Sequence, residues 1–237
     1  LMDIDRIARG LAEPTAFYLG KLQDALALDP LTGYSRMLIP FFAQHPFARM
    51  TLLTKCADVT NLLDLKHCGQ TILSWSLNPP EIHAQFERNV PSPEARIHAM
   101  KQCADAGYPV RAVLMPMIPC DNWQAIYTCF VRTLIQTIPL QRLTMGGICS
   151  YQEARRLMDS KLNPDNIISE NLLENSTRHA DHRARFSPEQ RIEMYRTIIE
   201  CVRSARPNLD LALCLEDDAV MHAVGLRESR GHCNCVL

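Results

Sequence analysis

Lys55 closes the apolar run of "LLTK", Ser76 and Asn78 stand two residues apart in "WSLN", and Asp24 lies in "LQDALALD". An ammonium can hold a carboxylate, form a Schiff base with a carbonyl, or merely cap a strand with its charge in solvent. A hydroxyl and an amide can satisfy a sugar or an amino group, or they can make the turn that prepares Pro79. Paired with Asp24 or Glu216, Lys55 could also serve a metal-independent barrel enzyme. The residue types leave these readings open, and none of the residues is assigned a catalytic role.

Two further groupings carry chemical types. "HCNC" at 232–235 offers three soft ligands, with Cys214 as a fourth if the fold brings it near; the alternative is thiols without a metal. Arg178, Arg183 and Arg185, with His179 and His182, form a local basic cluster that could contact phosphates or be a solvated loop. No G-x-S-x-G, Walker loop or G-x-G-x-x-G occurs, so nucleotide-hydrolase and dinucleotide readings have no support.

The elements that must position these groups alternate. Apolar runs suited to strands lie at 16–22, 50–54, 71–77, 110–118, 142–149 and 209–215, and helical patterns at 31–43, 58–67, 93–106, 122–137 and 187–205. That order predicts a parallel sheet with right-handed crossovers, covered on both faces because the strands show little polar alternation. "SPEARIHAM" and "SPEQRIEMY" share one grammar: a serine N-cap, proline in the first turn, then glutamate. The interval 150–186 is polar and weakly periodic, an irregular excursion from a single domain spanning 1–237. In a β/α barrel the carboxyl ends of strands carry the chemistry, which is where Asp24, Lys55, Ser76 and Asn78 fall.

Bulk properties narrow the partners. With 25 Lys plus Arg against 26 Asp plus Glu, no long-range field draws nucleic acid or an anionic surface to the whole molecule. No apolar stretch reaches the roughly 18 residues of a membrane span, and the start lacks a signal-peptide pattern, so no membrane partner and a cytoplasmic location are expected. Ten cysteines scattered through apparently regular segments read as reduced thiols. The chain opens on Leu1, and "DIDRIARGLAEP" reads as the end of a helix already under way, so an upstream segment is expected.

Together, "LALDPLTGYSRMLIPFF", "MTLLTKCADVTNLLDLKHCGQTILSWSLNPPEI" and "FERNVPSPEARIHAMKQCADAGYPVRAVLMPMIP" resemble the spore photoproduct lyase family of radical S-adenosylmethionine (SAM) proteins. The matching blocks run from about residue 19 to 119, with weaker likeness in "RFSPEQRIEMYRTIIECVRSARPNLDLALCLE" and "CNCVL". The resemblance implies an α/β fold, a partial (β/α) barrel of radical SAM type, N-terminally truncated here. It also implies a 4Fe-4S cluster and SAM at the strands' carboxyl ends. Reductive cleavage of SAM would then give a 5'-deoxyadenosyl radical that undoes a UV-induced thymine dimer in DNA. It puts Asp24, Lys55, Ser76 and Asn78 against SAM, and the segment of Arg178, Arg183 and Arg185 near DNA. The electron donor stays unspecified.

Two departures accompany the likeness. No three cysteines in this chain have the spacing of the family's C-x-x-x-C-x-x-C, whose three thiolates hold the cluster, so the chain is expected to be inactive alone. Where spore photoproduct lyase carries a hydrogen-donating cysteine, Lys21, Leu22 and Gln23 stand instead. A non-catalytic nucleic-acid-binding remnant is the other reading compatible with both.

Overall fold

The computed structural model describes residues 1–20, 23–162, 166–172, 183–227 and 231–237. Its sheet strands are β1 (Thr15–Leu19), β2 (Ala48–Thr54), β3 (Thr71–Leu77), β4 (Val110–Met117), β5 (Arg142–Gly147) and β8 (Asp210–Leu213), while β6 (Cys149–Ser150) and β7 (Ala184–Arg185) pair as a separate antiparallel ribbon. The helices are α1 (Met2–Arg9), α2 (Asp29–Thr32), α3 (Ser35–Phe42), α4 (Pro80–Phe86), α5 (Pro93–Asp105), α6 (Trp123–Thr137), α7 (Gln152–Leu162), α8 (Ile167–Asn171), α9 (Pro188–Ala205) and α10 (Asp218–Ala223). The six sheet strands are all parallel in the order β1-β2-β3-β4-β5-β8, a partial barrel open between its edges.

Strand periodicity gives the sheet two unlike faces. Leu52, Leu73, Trp75, Leu77, Ala112, Leu114, Leu143, Met145, Leu211 and Leu213 point to the helices and join one hydrophobic core. Trp75 is completely buried there, and its indole N–H donates to the Cys56 carbonyl at 3.0 Å. On the other, concave face the register lays Leu53, Ser74, Arg111, Arg142 and Asp210 in one row, and Ser76, Val113, Thr144 and Ala212 in the next. Among the described residues the buried hydroxyls of Thr51, Ser74 and Thr144 find no hydrogen-bond partner. Hydroxyls in that condition call for water or a bound group.

The caps follow the sequence. Ser92 accepts from the Ala95 N–H and Ser187 from the Gln190 N–H, each one turn ahead of a buried helix face. The opening residues are helical, as their pattern implies.

Other expectations change. The stretch 58–67 forms turns, not a helix. Asp58 takes the Thr60 N–H on its side chain, and Asn61 reaches out to Asp29 and Arg36, so local and tertiary bonds displace the helical ladder. The helix expected at 31–43 divides at Gly33, which has φ 60°. The strand expected at 142–149 ends at Gly147, and Cys149–Ser150 leaves the sheet to pair with Ala184–Arg185. The described residues of 150–186 include α7, α8 and β7, with β6 ending at Ser150.

Candidate functional site

At the carboxyl ends of β1, β2 and β3 a cleft of about 280 Å³ is lined by Gly20, Gln23, Asp24, Leu53, Thr54, Lys55 and Ser76. Gly20, Gln23 and Asp24 also border a neighbouring hollow of about 450 Å³ that runs toward Tyr34 and Leu38. Gly20 follows β1 with φ 86°, a conformation costly for any other residue, and a Cβ there would lie 2.7 Å from that of Ala25.

Asp24 builds that wall. One carboxylate oxygen accepts from the backbone N–H groups of Leu26 at 2.8 Å and Ala27 at 3.0 Å, and from the Thr54 hydroxyl at 2.6 Å. Its other oxygen accepts from the Lys55 N–H at 2.5 Å. Thr54 in turn accepts from the Cys56 N–H at 2.8 Å. One acid thus stitches residues 24–27 to the end of β2 and fixes where Lys55 leaves the strand.

The Lys55 ammonium lies 3.3 Å from Glu87 Oε1, while about a third of its side chain stays open to solvent and the cleft. Glu87 is nearly buried and also takes the Asn78 amide at 3.2 Å and the Arg96 guanidinium at 2.5 Å. Burial works to raise the Glu87 pKa, but the Arg96 bond and the charges of Lys55 and Arg96 prevail and hold it below the usual glutamate value. Asn78 is buried behind the cleft: its Nδ2 serves Glu87, and its Oδ1 accepts from the Tyr127 hydroxyl at 3.4 Å. Burial pushes the Tyr127 hydroxyl far up, so it stays a donor. Lys55, Ser76 and Asp24 therefore share one cavity, and Asn78 joins them through Glu87.

Sequence reasoning missed Glu87 and Arg96. Nothing local marks Glu87, but Arg96 had a signal: it stands on the buried stripe of α5 with Ala99, Met100 and Cys103, where an apolar residue is expected. Arg191 breaks the stripe of α9 in the same way. Arg96 Nε donates to the Pro91 carbonyl at 2.9 Å and Arg191 Nε to the Phe186 carbonyl at 3.0 Å, five residues back in both cases. Each guanidinium then binds rim carboxylates, Glu87 for Arg96, and Glu216 with Asp217 for Arg191. Glu216 also accepts from the Tyr195 hydroxyl at 2.8 Å, and that oxygen accepts from the Gly147 N–H. Among the described residues Glu216 is engaged by Arg191, Tyr195 and the Asp217 N–H, and the ion pair of Lys55 is with Glu87 instead.

The remaining candidates lie elsewhere. Arg183 sits over the Tyr151 ring at 4.7 Å from its centroid and donates to the Tyr151 hydroxyl at 2.8 Å. Arg185 is buried, with its guanidinium on the carbonyls of Leu215 and Arg183. Arg178, His179 and His182 lie outside the described residues. Among the described residues no group of three or more His, Cys, Asp or Glu is arranged to hold a metal ion, the "HCNC" segment included. No described helix is long and apolar enough to cross a membrane.

The family model "Spore photoproduct lyase" matches residues 6–149, from α1 through the first residue of β6. Curated spore photoproduct lyases from Geobacillus sp. (strain Y412MC61) and Bacillus subtilis (strain 168) are 32% identical over 115 residues and 29% identical over 127. Those alignments cover 48% and 54% of this chain but only 34% and 37% of the relatives, so the match spans about a third of their length. A solved spore photoproduct lyase complexed with dinucleoside spore photoproduct superposes with TM-score 0.78 at 21% identity, over 90% of this chain and 65% of that one. A spore photoproduct lyase mutant with bound AdoMet and dinucleoside spore photoproduct gives TM-score 0.77 at 21% identity, over 89% and 64%. At such identity the solved structures speak for the fold, which is the partial barrel. The family match covers well over half of the residues, and the chain belongs to the spore photoproduct lyase family.

Proposed function

We propose that this chain is the substrate-side part of a radical SAM lyase that repairs a thymine dimer in DNA, and that the cleft beside Lys55 receives SAM. The observation that carries the reading is the shared cavity of Lys55, Ser76 and Asp24 at the carboxyl ends of β1 to β3, in a chain of this family.

The donor set fits the cofactor. A partly open ammonium at the rim is suited to the methionyl carboxylate, and Ser76 offers a hydroxyl to ribose or amine. The unpartnered hydroxyls of Ser74 and Thr144 supply further polar contacts deeper on the concave face. Asp24 and Asn78 act differently from direct ligands: Asp24 spends its oxygens on the loop, and Asn78 spends its amide on Glu87 and Tyr127. They hold Lys55 at the rim. When bound and reduced, a 4Fe-4S cluster with SAM supplies a deoxyadenosyl radical able to abstract hydrogen. The three thiolates for that cluster are not in this chain, so its own residues only bind, orient and shield.

DNA is the macromolecular partner on this reading, which fits an enzyme working in the cytoplasm. Arg183 with Tyr151 presents a cation and a ring on the excursion beside the barrel, and Arg185 is too buried to contact a phosphate. Equilibrium dialysis of SAM against this chain tests the cofactor site without the cluster. Anaerobic reconstitution of a polypeptide that also carries C-x-x-x-C-x-x-C upstream tests the reaction, with 5'-deoxyadenosine and repaired dinucleoside as readouts. Failure to form 5'-deoxyadenosine with the cluster bound would overturn the reading.

A further inference from the structure

Residues 231–237 lie across the amino-terminal end of the sheet. Arg142, the first residue of β5, donates to the carbonyls of Cys233 at 3.2 Å, Val236 at 3.3 Å and Leu237 at 3.1 Å, and its Nε donates to Asp210, the first residue of β8, at 2.5 Å. Beside these contacts is a cavity of about 640 Å³, the size of a small-molecule site. It stands at the amino ends of β5 and β8, whereas the Lys55 cleft stands at the carboxyl ends of β1 to β3.

Several separate segments bring nitrogen donors to this one wall: Arg142 from β5, Arg203 from the last turn of α9, His222 from the last turn of α10, Arg227 just beyond it, and His232 from the terminal segment. Their backbone is held in place. The Gly225 N–H donates to the His222 carbonyl at 3.1 Å and the Leu226 N–H to the Met221 carbonyl at 2.9 Å, while Arg142 anchors the residue after His232. Arg203 gives Nη1 to the carbonyls of Pro207 at 2.7 Å and Leu209 at 2.6 Å, and its Nε and Nη2 find no partner among the described residues. The side chains of His222, Arg227 and His232 likewise find none there. Asp210 is the acid on the wall, and it is already paired with Arg142. Three guanidinium groups against one carboxylate leave the wall with two surplus positive charges before either imidazole is protonated.

We propose that this cavity binds a phosphate monoester of the mononucleotide class, with Arg203 and Arg227 on the phosphate and Leu226 and Leu237 against the organic part. The planar fork of a guanidinium matches two oxygens of a phosphate, and Arg203 is already fixed with the rest of its fork unengaged. The two charges of a monoester equal the surplus on the wall, whereas a carboxylate or a phosphodiester carries one and leaves a cation unmatched. Arg142 has spent its Nε, both bonds of Nη1 and one of Nη2, so it holds the wall together and contributes mainly charge. His222 and His232 each add a ring N–H for the remaining phosphate oxygens.

The inference does not depend on SAM binding. The test is isothermal titration of the chain with uridine 5'-monophosphate at fixed ionic strength, beside uridine and a single-stranded oligonucleotide without terminal phosphates. The nucleotide should bind once per chain and uridine at least about tenfold more weakly. Arg227→Gln, at an exposed position, should keep the fold and weaken the nucleotide about fivefold, and Arg203→Met should do so as well, while Lys55→Met should leave it within about twofold. The oligonucleotide should not displace the nucleotide. Each of four results would overturn the proposal: no saturable binding of the nucleotide, equal affinity for uridine, loss of binding in Lys55→Met with either arginine variant as tight as the native chain, or displacement by the oligonucleotide at equal concentration, which would make the cavity a nucleic-acid contact instead.

Discussion

Lys55 Nζ lies 3.3 Å from Glu87 Oε1, and the same oxygen receives the Asn78 amide at 3.2 Å. One carboxylate thus ties the residue after β2 to the residue after β3, while its other oxygen is held by Arg96. Lys55 is oriented by Glu87 yet not enclosed by it, because about a third of its side chain is open. A lysine so placed can turn its remaining donors to an anionic ligand without leaving its first partner.

Removing the charge of Glu87 leaves Arg96 buried without its counterion. Glu87→Gln should cost about 3 kcal/mol of unfolding free energy, most of it from that uncompensated guanidinium. Urea denaturation should show a lower midpoint with an unchanged slope. A loss under about 0.5 kcal/mol would mean that the ion pair contributes nothing to the fold.

The same carboxylate gives a pH dependence with a definite sign. Its folded pKa lies below the ordinary 4.5, so the unfolded chain binds the proton more readily. The stabilisation is fully present above about pH 4.5 and is lost as pH falls through the lower folded value. The stability gap between the native chain and Glu87→Gln should therefore narrow from about pH 6 to about pH 3, in thermal melts at fixed ionic strength. A gap that widens toward acid would contradict the assignment.

Gly20 gives a sharper local test. Gly20→Ala places a methyl 2.7 Å from Ala25 Cβ on a backbone with φ 86°, so it should cost about 2 kcal/mol and displace Ala25 and its neighbours Asp24 to Ala27. Amide exchange at Leu26 and Ala27, which donate to Asp24, should accelerate in that variant. Unchanged protection there would show that the loop does not depend on the glycine.

The twin arginines separate structure from site. Arg96→Met and Arg191→Met should each destabilise by about 3 kcal/mol, since each strands a buried carboxylate. Arg96→Met should also weaken SAM binding, through Glu87 and Lys55, and Arg191→Met should not. Equal effects of both on SAM would show that the loss is global.

Much of this was legible in the residues. β3 coincides with its apolar run, and the serine caps of α5 and α9 form as their motifs imply, because these signals are local and tertiary packing reinforces them. The cleft around Lys55 and Ser76 was legible through strand ends. What stayed hidden depends on distant partners. The 58–67 turns are fixed by Asn61 reaching Asp29, and Glu87 matters only because the fold sets it between Lys55 and Arg96. Asp24 shows the same limit: its type was right for a rim acid, but four donors claim it within the chain.

The central claim is that the open donors of Lys55 hold the methionyl carboxylate of SAM. Equilibrium dialysis with Lys55→Met tests it most directly, comparing SAM with 5'-methylthioadenosine, which keeps the nucleoside and lacks the carboxylate. Loss of one charge-assisted contact should weaken SAM about tenfold and leave 5'-methylthioadenosine within about twofold. Equal weakening of both ligands, or of neither, would contradict the account.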